Sequence, residues 1–138
     1  MPIEALTRRE MKIASEDDVA LVRRAVRALA ESRRFDVFAS AAITTATSEL
    51  TRNVLVHARG GVALLEEVSD DDRVGIRVTF RDEGPGIENI ERVLAGGYST
   101  AKSMGLGLSG SRRLVDEFHL ESAAGRGTCI QIVKWQAL

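Results

Sequence analysis

Cysteine is nearly absent from this sequence of 138 residues, in which Cys129 stands alone. No disulfide can form within the chain, and a disulfide-stabilised secreted domain is excluded. The sequence also lacks a signal-type start and an apolar run of about twenty residues, the length that crosses a bilayer. We therefore expect a reduced, soluble, cytoplasmic protein without a membrane partner.

Aromatic residues and an excess of one charge are also missing. Aromatics make up 4% of the chain, and 19 Lys+Arg nearly balance 20 Asp+Glu. Proteins that bind nucleic acids rely on concentrated basic surface or on aromatic side chains that stack on bases, so we expect no nucleic-acid partner. The 44% of hydrophobic residues suffices for the core of a single domain over residues 1–138.

The hydrophobic pattern predicts an α/β chain that begins with two helices. Ser15 is a candidate N-cap for a helix that ends near Arg34, and a second helix is expected from after Asp36 to about Arg59. Strands are predicted at 62–68, 74–80, 118–122 and 128–135, with a helix over about 107–117 between the two strand pairs. Residues 9–14 form a short leading segment, residues 88–94 allow a short helix, and residues 95–105 are predicted to form a loop.

Two polar residues four positions apart, Glu49 and Asn53, share one face of the second predicted helix, at the edge of its apolar stripe. As an exposed pair they would stabilise the helix by only about 0.2–0.5 kcal/mol. As functional residues, the carboxylate suits a general base, and the amide oxygen suits Mg²⁺, which prefers hard oxygen donors. The spacing alone leaves both interpretations open.

Asp82 extends the alternating strand on the face predicted to point inward, and Gly84 and Gly86 follow it. A buried carboxylate requires hydrogen-bond donors. The donors are either backbone N–H groups of the turn that Asp82 caps, or a ligand such as the exocyclic amine of a nucleobase. The two glycines would let such a ligand approach the backbone closely.

A Gly-x-Gly-x-x-Gly pattern runs from Gly105 to Gly110 and leads into the third predicted helix. A dinucleotide-binding unit would need a strand directly before this pattern, and residues 95–104 do not form one. Glycine N–H groups at a helix N-terminus still favour phosphate binding. His57, His119 and Cys129 have no neighbours at metal-ligand or nucleophile spacing, and we interpret them as structural residues.

Taken in chain order, these motifs resemble the nucleotide-binding boxes of the GHKL ATPase superfamily. The boxes are Glu49-x-x-x-Asn53, Asp82-x-Gly84-x-Gly86, Gly105-x-Gly107 and Gly127-Thr128. Nearly the whole chain is similar to the small serine/threonine kinases that regulate anti-sigma factors, in particular the stressosome switch kinases, through residues 43–53, 82–87, 98–100, 114–118 and 130–135. The resemblance implies the GHKL (Bergerat) fold, a two-layer α/β (α+β) sandwich with a mixed sheet and helices on one face.

The resemblance also implies a role for each matched residue. Glu49 would be the catalytic base that deprotonates the attacking hydroxyl, and Asn53 would hold Mg²⁺ on the phosphates of ATP. Asp82 would accept a hydrogen bond from the adenine amine, with Thr128 nearby. The other expected ATP contacts are Gly84, Gly86, Ile87, Lys102, Gly105, Leu106, Gly107 and Leu108, with residues 95–104 as a short lid.

The function implied by the resemblance is that of a protein serine/threonine kinase in a partner-switching (stressosome) stress pathway. Such a kinase would phosphorylate STAS-domain proteins and then activate a PP2C-type phosphatase. Relatives that act as anti-sigma factors share the same boxes. The alternative is therefore a binding module that sequesters a sigma factor, or one that uses ATP only to fix its shape.

Overall fold

The computed structural model of the protein describes residues 3–86, 103–122 and 125–136, with the backbone alone for residues 103–107. Along these residues the elements are β1 (Glu4–Ile13), α1 (Glu16–Ser32), α2 (Val37–Ala58), β2 (Gly61–Ser69), β3 (Val74–Asp82), α3 (Ser103–Leu114), β4 (Glu117–Ser122) and β5 (Thr128–Trp135). The predicted order of two helices, two strands, a helix and two strands is confirmed. The predicted short helix at 88–94 lies outside the described residues.

The first two helices begin at the predicted capping residues. Before α1, the Asp18 carboxylate accepts a hydrogen bond from the Ser15 backbone N–H at 3.0 Å. Before α2, the Asp36 carboxylate accepts one from the Ala39 N–H at 2.8 Å. Helix α2 is followed by the capping residue Arg59, whose φ of 63° is left-handed. These local interactions explain why the sequence alone placed both helices well.

The five strands form one sheet in the order β1-β2-β3-β5-β4, and all of its described pairings are antiparallel. The prediction of a mixed sheet is therefore wrong. Strands β3 and β4 run in the same direction, as strands joined through a helix do, but β5 turns back and lies between them. No two parallel strands become neighbours.

The helices cover one face of the sheet, and the predicted two-layer arrangement is confirmed. Buried side chains of α1, α2 and α3 share one core cluster with inward side chains of β2, β3 and β5. The fully buried members include Val22, Val26, Ile43, Leu50, Ile76, Val78, Leu108 and Ile132. The opposite face of the sheet carries cross-strand ion pairs. There Glu66 is 2% exposed because it lies between Arg8 and Arg77, with which it forms ion pairs.

Two elements differ from the sequence prediction. Strand β1 covers residues that were expected to hold only a short leading segment, and it pairs with β2 along nearly its whole length. Helix α3 begins and ends earlier than the predicted 107–117, and it packs against α2 with Leu108 fully buried. This packing outweighs the low helix propensity of Gly105 and Gly107. Within the described residues no helix is long and apolar enough to span a membrane.

Candidate functional site

Asp82 lies at the carboxyl end of β3, paired in register with Thr128 of β5. Its Oδ1 accepts a hydrogen bond from the Gly84 N–H at 2.9 Å, so Asp82 does cap the turn. Partial burial raises the pKa of Asp82, while hydrogen bonds from the Gly84 and Thr128 backbone and the nearby His57 act to lower it. A carboxylate offers about four lone-pair positions, so the turn contact is compatible with an external donor.

Two glycines allow the backbone to close around Asp82. A Cβ atom at Gly84 would lie 2.6 Å from the Cβ of Ala58, at the end of α2. Gly127 has a φ of +80°, and a Cβ there would collide with the Asp82 carbonyl oxygen. Only glycine fits either position without a shift of the backbone. The glycines of the Asp82 and Gly127 boxes therefore bring α2, β3 and β5 together at one place.

The Thr128 side chain is buried and held in place at this end of the sheet. Its Oγ1 lies 2.9 Å from the Ser122 Oγ, and the Ser122 hydroxyl also donates to the Gly127 carbonyl at 2.8 Å. The Gly125 N–H donates to the Pro85 carbonyl at 2.7 Å, which ties the β4–β5 turn to the segment after Asp82. Thr128 thus lies beside Asp82, as predicted.

Helix α2 carries Glu49 and Asn53 along its edge, as their four-residue spacing predicted. Asn53 is 7% exposed, and its Nδ2 is buried without a hydrogen-bond partner among the described residues. A buried, unpaired amide is costly unless a ligand satisfies it. Glu49 has a side chain that is 45% exposed, with Oε1 3.5 Å from Arg52 Nη1. It is therefore accessible to a macromolecular substrate.

His57 is a candidate site residue that the sequence interpretation missed. Together with Ala58, Asp82, Pro85, Gly86 and Thr128 it lines a small cavity at the end of the sheet. Its Nε2 is buried without a partner among the described residues. Burial lowers the pKa of His57, and the charge of Asp82 partly offsets this, so the ring is mainly neutral near pH 7. The sequence did contain a signal for His57, because residues 49, 53 and 57 are spaced four apart and therefore lie on one face of the helix.

Helix α3 contributes the third glycine box. Gly105, Leu106 and Gly107 lie near its N-terminus, where the first four backbone N–H groups have no partner within the helix. Leu108 is fully buried in the core and lies beyond the first turn of α3, where backbone N–H groups bond within the helix, so the structure does not favour the predicted contact of Leu108 with ATP. The two other expected contacts, Ile87 and Lys102, lie outside the described residues, as does the predicted lid up to residue 102.

A larger cavity, of about 710 Å³, opens beside the small one. It shares Asp82 and Thr128 with it, but its described lining comes from the strands and their connections, with Arg81, Glu121 and Arg126 among them and no residue of α2. Because Glu49, Asn53 and His57 all belong to α2, we assign the site to the α2 side of Asp82.

The residues on this edge of α2 fit a metal ion that is held mainly by the phosphates of a bound nucleotide. The described residues contain no group of three or more His, Cys, Asp or Glu side chains that could hold a metal ion. Mg²⁺ typically takes one or two protein oxygens together with substrate phosphates. Asn53 lies on this edge of α2, and its amide oxygen is a ligand of the kind that Mg²⁺ takes. Its unpaired Nδ2 is a donor and suits a phosphate oxygen instead.

Known proteins are similar to this chain over most of its length. Residues 13–134 match the histidine kinase-like ATPase domain family. The serine/threonine-protein kinase RsbT of Bacillus subtilis is 42% identical over 125 residues, which are 91% of this chain and 94% of that protein. The anti-sigma F factor of Clostridium acetobutylicum is 33% identical over 102 residues, or 70% of each protein.

Two solved structures share the fold. The RsbU and RsbW domains of Rv1364c from Mycobacterium tuberculosis superpose with a TM-score of 0.66 at 19% identity, covering 96% of this chain and 33% of that one. The SiaB–SiaC complex from Pseudomonas aeruginosa gives a TM-score of 0.56 at 11% identity, covering 95% and 90%. At these identities the likeness extends to the fold alone.

The family predicted from the motifs is confirmed. The matched region spans the boxes at Glu49–Asn53, Asp82–Gly86 and Gly127–Thr128, and ATP is the nucleotide that such a domain binds. The chain belongs to the histidine kinase-like ATPase family and, within it, to the serine/threonine kinases of the RsbT type.

Proposed function

We propose that this kinase transfers the γ-phosphate of ATP to a serine or threonine of STAS-domain proteins in the cytoplasm and then activates a PP2C-type phosphatase. The observation that carries the proposal is the buried Asn53 amide, whose nitrogen is unpaired within the described residues, beside the accessible Glu49 on the edge of α2 that leads to Asp82. The 42% identity to RsbT over nearly the whole chain supports the same activity.

In this proposal, Asp82 binds the base end of ATP. Its carboxylate accepts a hydrogen bond from the adenine amine, while Thr128 and the glycines at 84 and 86 shape the pocket. Along α2, Glu49 precedes His57 by eight residues, or about 12 Å of helix. The base and the phosphates can therefore lie along one side of α2, with the phosphates towards Glu49.

The remaining residues act at the phosphate end. Asn53 holds Mg²⁺, which when bound would neutralise phosphate charge. The unpaired backbone N–H groups of the first turn of α3, to which Gly105 and Leu106 belong, donate to the phosphates. Gly107 follows this turn and leaves room for the phosphates, because it carries no side chain. Lys102 and Ile87 are proposed to complete the contacts. Glu49 accepts the proton of the attacking hydroxyl, and its exposure lets a protein substrate reach it.

The test is phosphoryl transfer from labelled ATP to purified STAS-domain proteins in the presence of Mg²⁺. We expect Glu49→Ala to abolish transfer while retaining ATP binding, because Glu49 contacts the hydroxyl rather than the nucleotide. Arg52→Ala is the matched control, since it breaks the 3.5 Å ion pair and leaves the carboxylate. Transfer that continues unchanged in Glu49→Ala would remove Glu49 from its role.

A second candidate function is sequestration of a sigma factor, and the similarity to anti-sigma F factors favours it. The two functions differ in the lifetime of the complex. A pull-down with purified proteins distinguishes them. Stable capture of a sigma factor, together with only transient binding of STAS-domain proteins, would support the anti-sigma function over the kinase function.

A further inference from the structure

The beginning of α2 exposes two large apolar side chains next to each other. Phe38 is 87% exposed and Val37 is 80% exposed, more than any other large hydrophobic residue in the described part of the chain. Single exposed apolar residues are common, but an adjacent pair on a helix is a typical feature of a contact surface.

The apolar pair borders a groove between α1 and α2, with a volume of about 370 Å³. We call it the α1–α2 groove. Its lining residues combine basic and apolar or small side chains, and they are Arg23, Arg27, Glu31, Phe35, Val37, Ser40, Ala41 and Thr44. The groove thus offers an apolar strip with charged side chains along one margin.

The charge around the groove is positive, although the chain as a whole carries a net charge of −1. The groove lining holds Arg23 and Arg27 against Glu31, while Arg33 lies outside the lining and is bonded to Glu67 at 2.7 Å. Arg27 lies 3.8 Å from Glu31 in an exposed pair, and Asp36 is engaged at the cap of α2. Arg23, which lines the groove, is exposed and forms no ion pair within the described residues, so this margin of the groove complements an acidic partner.

The beginning of α2, where the apolar pair lies, is far from the candidate nucleotide site, although the groove extends along α2 to Thr44. Phe38 precedes Glu49 by eleven residues of α2, or about 16 Å, and precedes Asn53 by about 22 Å. A partner bound here would leave Asp82 and the phosphate end uncovered. Binding at this surface and chemistry at the site can therefore be measured separately.

We propose that the α1–α2 groove docks an acidic amphipathic helix of a partner protein. Helices α1 and α2 are joined by a short connection, so they pack as antiparallel neighbours, and a third helix is the element that fits between two such helices. Its apolar side chains pack on Val37, which lines the groove, and on the neighbouring exposed Phe38 outside the lining. Its acidic side chains face Arg23 and Arg27. The proposal does not depend on ATP or on phosphoryl transfer.

The probe is a fluorescein-labelled helical peptide of about 18 residues, with leucines at i, i+3, i+4 and i+7 and glutamates on the flanking positions. A second peptide carries lysine in place of each glutamate. Fluorescence anisotropy with the full chain should show binding of the acidic peptide at least about tenfold tighter than binding of the lysine peptide.

Two variants remove the proposed contacts, and each has a matched control. Phe38→Ser and Arg23→Glu should each weaken binding of the acidic peptide by about tenfold or more. Val56→Ser changes another exposed apolar residue of α2, at 59% exposure, and Arg24→Glu reverses an exposed charge next to the groove lining. Both controls should bind the peptide as the unchanged chain does. Thermal melts should stay unchanged for Phe38→Ser, whose side chain is largely exposed.

Three results would overturn the proposal. The first is equal binding of the acidic and lysine peptides. The second is an equal loss of binding in Val56→Ser and Phe38→Ser, since this would mean unspecific apolar contact. The third is concentration-dependent dimerisation in sedimentation that Phe38→Ser abolishes, because it would assign the groove to a second copy of this chain. Loss of kinase activity in Glu49→Ala with unchanged peptide binding would leave the proposal standing.

Discussion

Gly125 and Gly127 provide a controlled test of the close packing around Asp82. Their φ angles are nearly identical, at +79° and +80°, so alanine pays the same left-handed backbone cost at either position. The surroundings differ. A Cβ at Gly125 would meet no atom within 4 Å, whereas a Cβ at Gly127 would collide with the Asp82 carbonyl oxygen and lie 3.0 Å from the Cα of Glu83.

The expected loss of stability in each variant is the sum of a backbone cost and a collision cost. The left-handed conformation costs an alanine about 1–2 kcal/mol, and this term is common to both variants. Relief of the collision at Gly127 requires a shift of the β3–β5 pairing, which costs a further 1–3 kcal/mol or so. We therefore expect the free energy of unfolding to fall by about 1–2 kcal/mol in Gly125→Ala and by about 2–5 kcal/mol in Gly127→Ala.

Urea denaturation followed by circular dichroism measures both values, provided that the denaturant slope stays constant. ATP titrations at a temperature where both variants are folded should show weaker binding for Gly127→Ala, because Asp82 must move. Gly125→Ala retains the N–H that bonds Pro85 and should bind ATP normally. Equal destabilisation of the two variants would refute the inference that the contact between Gly127 and Asp82 shapes the site.

Three further substitutions probe the site and the outer face of the sheet. Asp82→Asn should weaken ATP binding by about 1–3 kcal/mol in calorimetry, because the new amide donor faces the adenine amine, whereas the exposed Asp72→Asn should not. Asn53→Ala should weaken ATP binding in Mg²⁺ more than it weakens adenosine binding, and an equal loss would indicate a damaged helix instead. Glu66→Gln should lower the free energy of unfolding by about 3 kcal/mol, whereas Glu10→Gln, at an exposed position, should change it little.

The pH dependence of Glu66 gives the last prediction an independent check. Burial would raise the pKa of Glu66, but hydrogen bonds and charges from Arg77 and Arg8 outweigh it and hold the pKa below its ordinary value. A carboxyl with a lowered folded-state pKa contributes stability above its unfolded-state pKa and loses it as the pH falls through the folded-state value. The unchanged chain should therefore lose more stability in acid than Glu66→Gln does.

The sequence predicted best the elements that local interactions define. The capping hydrogen bonds at Ser15 and Asp36 join residues only three positions apart, Ser15 with Asp18 and Asp36 with Ala39. The alternation over 74–80 marks β3 without reference to any other element. Strand β1 escaped prediction because seven of its ten residues are exposed and five are charged, so it has no clear apolar alternation. Its conformation comes from pairing with β2, about sixty residues away at Thr7 and Glu67.

The same distinction applies to the site. Spacing along one helix predicted that Glu49 and Asn53 share an edge, and the turn chemistry after Asp82 was visible in its glycines. The position of His57 beside Asp82 could not be predicted from the sequence. It depends on the end of α2 packing against the end of β3, where Gly84 contacts Ala58. Side chains that meet only through tertiary packing leave little trace in a single sequence.

The position of β5 in the sheet has a consequence for how the chain folds during synthesis. Among the described strands β5 emerges last from the ribosome, yet it lies between β3 and β4 and carries Thr128. Until it emerges, β3 and β4 each have an edge without its final partner. Non-local pairing of this kind is slow and exposes strand edges to other chains. Nascent chains stalled before residue 128 should therefore engage chaperones, and the ATP site would form only after β5 is inserted.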